Sequence, residues 1–329
     1  ADPRRREGWR EVEARLAEAG AAGWSVRARA LAEDEEEARA ETGDGRRTAQ
    51  KAFFRAVSLV EEVMRRARAG GDVSFAPARR VVCELVDAVT EDEQALFELT
   101  TIHSFDEYTY AHCVNVCVYA VALGVRLGLD RPLLAELGFS ALFHDLGKVK
   151  LPLALIDKPD EYDAADWDQM RLHPLLGAKL LLSMPRPLDR SLARAAAVAF
   201  EHHLGADASG YPRTRRERRQ GLFSRVCAIA DSFDALTSGR VYQRRPLGPA
   251  EALRRMVQRA GTAYDPLLLR LFVRTVGVFP IGTALNLGGG RIGVVWRNTP
   301  GDLLRPRVRV AEPSGETRVV ELPAGALRA

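Results

Sequence analysis

The sequence is poor in the features that mark several special classes of protein. Its four cysteines lack the regular spacing of a disulfide framework, which argues against a secreted disulfide scaffold. The longest apolar stretch, Val114 to Val125, contains Asn115 and falls short of the roughly 20 residues that span a bilayer. No basic segment followed by an apolar one opens the sequence. These absences predict a soluble, cytoplasmic protein without a membrane span.

Lysine is also scarce. Lysine and arginine together number 48, yet only five are lysine, and three of these, Lys148, Lys150 and Lys158, lie close together. Because lysine carries a compact point charge and arginine a planar fork, the cluster indicates a place where an ammonium group is needed. The net charge is only +4, so a nucleic-acid polymer is not expected as a partner.

The sequence divides into three segments that differ in composition and in hydrophobic pattern. Residues 1–99 form the first segment, which is rich in Ala, Arg and Glu up to about residue 69, has apolar residues at helical spacing there, and continues in a second helical stretch. Residues 100–275 contain one long helical pattern after another, whereas residues 276–329 change to short β-prone runs separated by Gly, Pro and Asn. The sequence therefore predicts a mainly α protein with a helical N-terminal region, a helical bundle and a small C-terminal β extension. The N-terminal region is expected to regulate or oligomerise the protein, with a homodimer through its helices.

Histidine is scarce too, and its distribution indicates one site. All six histidines fall in the middle segment; five of them lie in helical stretches that also carry acidic residues, whereas His103 matches no motif. His144 and Asp145 close an apolar helical run and precede Gly147, so both side chains can face one point. Imidazoles and carboxylates bind Fe, Mn, Zn or Ni, and one carboxylate can bridge two ions about 3.5–4 Å apart. The candidate ligands of a two-metal site are His112, His144, Asp145, His173, His202, His203 and Asp231.

Each of these histidines, taken alone, would more often be a hydrogen-bonded or surface residue. Their joint occurrence beside aspartates favours metal ligands instead. Asp234 lies three residues after Asp231 on the same predicted helix and is a reserve ligand, although capping or support of a ligand suits its position better.

An ordered series of motifs resembles the HD-GYP subgroup of the HD superfamily of metal-dependent phosphohydrolases. The resemblance covers about residues 100 to 275, and the series is more specific than a bare His-Asp pair. It consists of Asp106-x-Tyr108-Thr109-x-x-His112, His144-Asp145-x-Gly147-Lys148, Lys158-Pro159, His173-Pro174, His202-His203, Gly210-Tyr211-Pro212 and a run from Ala230-Asp231 through Arg240 to Tyr242. It implies an HD-type helical bundle and hydrolysis of the bacterial second messenger cyclic di-GMP.

The resemblance also implies roles for individual residues. The seven candidate ligands would hold two divalent transition-metal ions, Fe or Mn first and Zn, Ni or Co next, with Asp145 as the bridge. Asp145 and Lys148 would be catalytic, and a hydroxide bridging the metals would attack phosphorus to give linear pGpG, with GMP as a further product. A diguanylate cyclase or another signalling protein would be a partner. The residues expected at the substrate are Lys148, Gly210, Tyr211, Pro212 and Arg240.

The chain departs from the family pattern near the expected substrate. Leu204 and Gly205 stand where the family usually has Glu and Arg, Ala208 replaces a Gly, and Gln243 stands where members often carry Lys. The departures keep two alternatives open: an HD-type hydrolase of another nucleotide, and a catalytically weak module that binds a cyclic dinucleotide or a partner protein. Because none of the seven ligands is lost, an enzyme is favoured.

The expected number of metal ions rests on Tyr108, one helical turn before His112. In family members that resemble trinuclear enzymes this position is Glu. A phenol with a pKa near 10 is a poor ligand, and Glu107 is rotated by about 100° from that face. The sequence thus predicts two ions, with the linear dinucleotide as the main product.

Overall fold

The structure, a computed structural model, is mainly helical and ends in a small antiparallel sheet. The predicted fold class is therefore confirmed. None of the helices in the described part of the chain combines the length and the apolar character needed to cross a bilayer. The described residues are 29–30, 34–71, 73–102, 108–183, 189–214, 218–238, 246–288, 291–299, 302–311 and 317–322.

The helices are numbered in chain order. Their ranges are α1 Asp34–Arg68, α2 Ala76–Thr100, α3 Tyr108–Arg126, α4 Arg131–Leu142, α5 Leu153–Ile156, α6 Ala164–Met170, α7 His173–Leu182, α8 Arg190–Glu201, α9 Leu222–Thr237, α10 Pro249–Val257 and α11 Pro266–Val276. A 3-10 helix, Leu146–Lys150, connects α4 to α5. Aspartates start several helices by accepting hydrogen bonds from first-turn amides, which would otherwise lack partners: Asp130 for α4, Asp163 for α6, Asp189 for α8 and Asp265 for α11.

Helix α3 lies at the centre of the bundle. All residues from His112 to Gly124 are buried, because α1, α2, α4, α9 and α11 surround the helix. Its apolar composition on every face follows from this position. The same core continues into α1 and α2, where Phe53 and Leu85 are buried. The boundary between residues 99 and 100 stays a prediction, and the apolar core runs across it without a break.

The C-terminal sheet is antiparallel throughout, in the order β1-β5-β4-β3-β2. Its strands are β1 Arg29–Ala30, β2 Ala284–Asn286, β3 Ile292–Thr299, β4 Asp302–Ala311 and β5 Thr317–Glu321. The β1 strand was not predicted, because the N-terminal region has a helical composition. The sheet is attached to α2 through Gln94, whose side chain exchanges two hydrogen bonds with the backbone of Asn298.

Candidate metal centre

The structure brings all seven candidate ligands together in one cluster. His112 comes from α3, His144 and Asp145 lie between α4 and the 3-10 helix, and the others come from three further elements. His173 begins α7, the pair His202 and His203 follows α8, and Asp231 lies in α9. Six of the seven are at most 4% exposed, and His203 is half-buried.

Asp145 lies between two pairs of histidines. Its Oδ2 is 3.4 Å from Nε2 of His144 and 3.7 Å from Nε2 of His112. Its Oδ1 is 3.2 Å from Nε2 of His173 and 3.8 Å from Nε2 of His202. The two oxygens of one carboxylate thus face different pairs, which is the arrangement that a bridging ligand requires.

Asp231 lies on the His112 side of the cluster. Its Oδ1 is 3.2 Å from Nε2 of His112 and 3.9 Å from Nε2 of His144, and its Oδ2 is 3.8 Å from Nδ1 of His203. Donor atoms of Asp145, His173, His202 and His203 lie within 4.8 Å of one another, as do those of His112, His144 and Asp145. Two overlapping donor sets therefore share Asp145.

Main-chain carbonyls orient three of the histidines, which we call the carbonyl-anchored histidines. A carbonyl oxygen only accepts hydrogen bonds, so Nδ1 of each ring carries the proton and Nε2 presents a lone pair to the centre. In each case the histidine stands three residues after its partner. The pairs are His144 with Ala141 at 2.7 Å, His173 with Met170 at 2.7 Å and His202 with Ala199 at 2.9 Å.

The ring of His112 is oriented by a side chain instead of a carbonyl group. Its Nδ1 lies 2.6 Å from Oδ2 of Asp234, whose other oxygen, Oδ1, accepts hydrogen bonds from Asn115 at 2.8 Å and Ser238 at 3.1 Å. Asp234 therefore supports His112 from behind, away from the shared donor atoms. Sequence reasoning missed Asn115, although a polar residue in an otherwise apolar run, three residues after His112, was a usable signal.

The protonation states suit cation binding. Burial raises the pKa of Asp145, but Lys148 and His144 outweigh burial and hold it well below its usual range. Asp231 is likewise held low by His112 and His203. Burial lowers the pKa of His173 to about 3 and that of His202 to about 4. The carboxylates are therefore charged and these two imidazoles neutral at neutral pH.

The donor atoms of the clustered histidines and aspartates are suited to bind divalent metal ions. Among the described residues, Nε2 of His144 and Oδ1 of Asp145 are buried without a hydrogen-bond partner. A buried polar atom left in this way costs about 1–3 kcal/mol, and coordination to a cation would offset that cost. Mixed imidazole and carboxylate donors suit Fe, Mn, Zn or Ni.

The raised pKa of His112 leads us to predict that metal binding releases a proton. Burial lowers its pKa, but the hydrogen bonds to Asp231 and Asp234 outweigh burial and raise it to about 9. At pH 7 His112 is therefore protonated, and a metal ion must displace that proton, whereas His173 and His202 have none to lose. We expect Mn²⁺ to release about one proton from His112 at pH 7, and less as the pH rises through 9.

Calorimetric titration of the metal-free protein in buffers of different ionisation enthalpy measures this release. Equal release at pH 7 and pH 10 would contradict the assignment to His112.

The Gly210-Tyr211-Pro212 loop folds back on His203. Tyr211 N donates to the His203 carbonyl at 3.2 Å, and the two rings lie 4.6 Å apart. Gly210 has a φ of 89°, and a Cβ there would lie 2.2 Å from the same carbonyl oxygen, so only glycine fits. The loop thus holds the least buried candidate ligand, and the role of these three residues in substrate binding stays a prediction.

The departures from the family pattern have local structural correlates. Leu204 is buried and pairs with Gly210 as an isolated β-bridge. Gly205 packs so closely that a Cβ would lie 2.5 Å from Oγ of Ser209. Ala208, in place of the family glycine, has a φ of 65°, a conformation in which a side chain is strained. The loop therefore keeps a glycine-like backbone path with a different set of side chains.

Several predicted features lie outside the described residues. These are His103, Glu107, Arg240 and Gln243. The backbone of Tyr108 begins α3, but its side chain is not described. The substrate contact of Arg240 and the choice of two metal ions over three stay predictions.

A cavity of about 570 Å³ opens over the cluster, within the size range of small-molecule sites. Its floor contains Lys148, whose Nζ donates to Oδ2 of Asp145. The walls come from several elements, and α1 is one of them. The wall residues include Glu61, Met64, Arg65 and Arg68 of α1, Leu153 and Ile156 of α5, and Tyr162, Trp167 and Tyr211.

Comparison with known proteins gives consistent matches. The family model described as HD domain matches residues 86–268. The cyclic di-GMP phosphodiesterase PA4108 of Pseudomonas aeruginosa is 36% identical over 256 residues, which are 78% of this chain and 60% of that protein. A cyclic di-GMP phosphodiesterase of Thermotoga maritima is 31% identical over 190 residues, 56% of this chain and 50% of that protein. The matched region thus spans only 50% to 60% of these relatives' length.

A solved structure shares the fold. It is Bd1817, an HDG"Y"P protein from Bdellovibrio bacteriovorus, with a TM-score of 0.56 and 19% sequence identity. The match covers 74% of this chain and 80% of that one.

Proposed function

This chain belongs to the HD domain family, and from that premise we propose that it is a metal-dependent phosphodiesterase that hydrolyses cyclic di-GMP. The observation that carries the proposal is the position of Asp145, whose two oxygens face two histidine pairs under a cavity of ligand size. The HD domain implies divalent metal binding, and the similarity to relatives named cyclic di-GMP phosphodiesterases supports cyclic di-GMP as the substrate.

The proposed centre holds two ions, with Fe or Mn first and Zn, Ni or Co as further candidates. The first ion would have donors from His112, His144, Asp145 and Asp231, and the second from Asp145, His173, His202 and His203. Divalent cations bound there neutralise phosphate oxygens and make water acidic enough to provide hydroxide near neutral pH.

The chain's own residues would hold the reacting groups in place. The carbonyl-anchored histidines keep their Nε2 atoms directed inward, so little reorganisation is needed during reaction. Lys148, at the cavity floor, brings an ammonium group to the phosphate, where negative charge builds up. The apolar wall formed by Leu153, Ile156 and Trp167 suits the flat bases of a dinucleotide. The proposed main product is linear pGpG.

Lys148→Ala tests the role of the ammonium group. We expect turnover to fall by about 10²–10³, since a cation positioned at developing charge is lost, while bound metal stays at the wild-type level. Product chromatography and elemental analysis measure the two quantities. Lys150→Ala is the matched control, because Lys150 is exposed in the same 3-10 helix. Unchanged turnover in Lys148→Ala, or loss that follows metal content, would contradict the assignment.

The decisive experiment for the function itself is anaerobic purification with metal analysis, followed by product identification with cyclic di-GMP. At least two ions per chain and metal-dependent formation of pGpG would support the proposal. Hydrolysis of a mononucleotide or a deoxynucleoside triphosphate, with cyclic di-GMP untouched, would favour the alternative HD-type hydrolase. Binding of cyclic di-GMP without hydrolysis by metal-loaded protein would favour a binding module.

The homodimer through the N-terminal helices, a diguanylate cyclase or other signalling partner, and the cytoplasmic location stay predictions.

A further inference from the structure

Helix α1, which precedes the region matched by the HD domain model, forms part of the cavity wall. Its last turns contribute Met64, Arg65 and Arg68 to the lining. The sequence indicated a regulatory or oligomerising role for this region and gave no reason to place it at the site. Its position raises the question of what its cations do there.

Arg68 contacts the backbone of the turn that carries Lys148. Its Nη1 donates to the carbonyl of Leu151 at 3.2 Å, and its Nη2 donates to the carbonyl of Lys148 at 3.5 Å. Leu151 N also donates to the Lys148 carbonyl, at 3.0 Å. The guanidinium therefore spans the two carbonyls at the end of the 3-10 helix, where its charge complements the partial negative charge of the helix terminus.

The same turn is also fixed by close packing against α7. Gly147 lies against α7 so tightly that a Cβ would meet the His173 carbonyl oxygen at 1.9 Å. The turn is thus contacted both by α7, through Gly147, and by Arg68 of α1, through its carbonyls. Since the backbone position of Lys148 sets where its ammonium group can reach, both contacts bear on catalysis.

We propose that Arg68 is a positioning residue for Lys148, through which helix α1 becomes part of the catalytic centre. The inference rests on the proposed phosphodiesterase function. Arg68 does not act by coordinating metal or by bonding to the candidate ligands; it fixes the main chain from which Lys148 extends.

Neighbouring arginines of α1 provide a control. Arg65 and Arg66 both form ion pairs with Glu62 of the same helix. Arg66 does not line the cavity. Arg66→Gln therefore removes one α1 guanidinium and one ion pair without touching the Lys148 turn.

The test is a double-mutant cycle in the full, metal-loaded chain. We expect Arg68→Gln to lower kcat about tenfold with little change in KM, Arg68→Lys to recover part of the loss, and Arg66→Gln to match the wild type. Adding Arg68→Gln to Lys148→Ala is expected to cause no further loss, because the residue that Arg68 positions is already gone.

Other outcomes would overturn the proposal. Losses in Arg68→Gln and Lys148→Ala that multiply in the double variant would show independent action. A rise in KM alone would indicate direct substrate contact. A fall in metal content or in the denaturation midpoint that accounts for the lost rate would indicate a purely structural role.

Measuring the same cycle with bis(4-nitrophenyl) phosphate separates this inference from the proposed function. Cleavage of this simple phosphodiester without cleavage of cyclic di-GMP would refute the proposed substrate, and the cycle would still decide the role of Arg68.

Discussion

We expect Asp145→Asn to lower the proposed hydrolysis of cyclic di-GMP by about a thousandfold or more and to leave less than one metal ion per chain. The amide keeps the shape of the side chain but removes the negative charge that faces both histidine pairs. Cations at such a site stabilise a phosphoryl transition state by several kcal/mol, and about 1.4 kcal/mol corresponds to a tenfold change in rate. Initial rates and elemental analysis on protein from one purification measure both effects.

Asp87→Asn is the matched control for charge removal. Asp87 is exposed, pairs with Arg131 at 2.8 Å and does not line the cavity. Both rate and metal content should match the wild type. Two tightly bound ions per chain in Asp145→Asn would show that Asp145 is not the bridge.

Gly147→Ala will destabilise the protein and disrupt the metal centre together. A Cβ at this position would lie 1.9 Å from the carbonyl oxygen of His173 and 2.4 Å from the amide nitrogen of Gly177. These atoms are backbone and cannot turn aside, so the 3-10 helix and α7 must separate. Overpacking of this kind costs about 3 kcal/mol, and the separation moves both Asp145 and His173.

Gly177→Ala approaches the same contact from the other side and serves as the control. Its Cβ would lie 3.1 Å from Gly147 N, a distance that a small shift can relieve. Alanine also gains about 1 kcal/mol over glycine inside a helix, so its net effect should be near zero. Urea denaturation of the metal-free proteins gives the free energies of unfolding. Equal stability of the two variants would contradict the close packing.

The sequence pointed to the candidate ligands, whose role as ligands stays a prediction, but not to the groups that support them. His144, Asp145 and the other motif residues could be recognised because their types and order carry the signal. The groups that orient these ligands carry no such signal. Asn115 of α3 donates a hydrogen bond to Asp234. The carbonyls that anchor three histidines belong to the main chain, which every residue type has. Such contacts depend on backbone geometry, which no residue pattern records.

For the fold, too, local patterns could be predicted from the sequence and long-range contacts could not. Helical periodicity predicted that Phe53 and its neighbours face a core, but periodicity does not say which core. The packing of α1 against the helical bundle, and of Arg68 against the Lys148 turn, is long-range and therefore was not predicted. The pairing of Arg29 with Glu321 is long-range in the same sense, since it joins residues from opposite ends of the chain.

The carbonyl-anchored histidines make the metal centre tolerant of sequence drift. A substitution at Ala141, Met170 or Ala199 changes a side chain and leaves the carbonyl oxygen that holds the ring. His112 differs, because its orientation depends on the carboxylate of Asp234 and disappears with it. Over evolutionary time, three of the five rings are oriented by atoms that mutation cannot replace, so constraint falls on the histidines and on Asp234. A composition as skewed towards alanine and arginine as this one can therefore accumulate around the centre without changing its donor geometry.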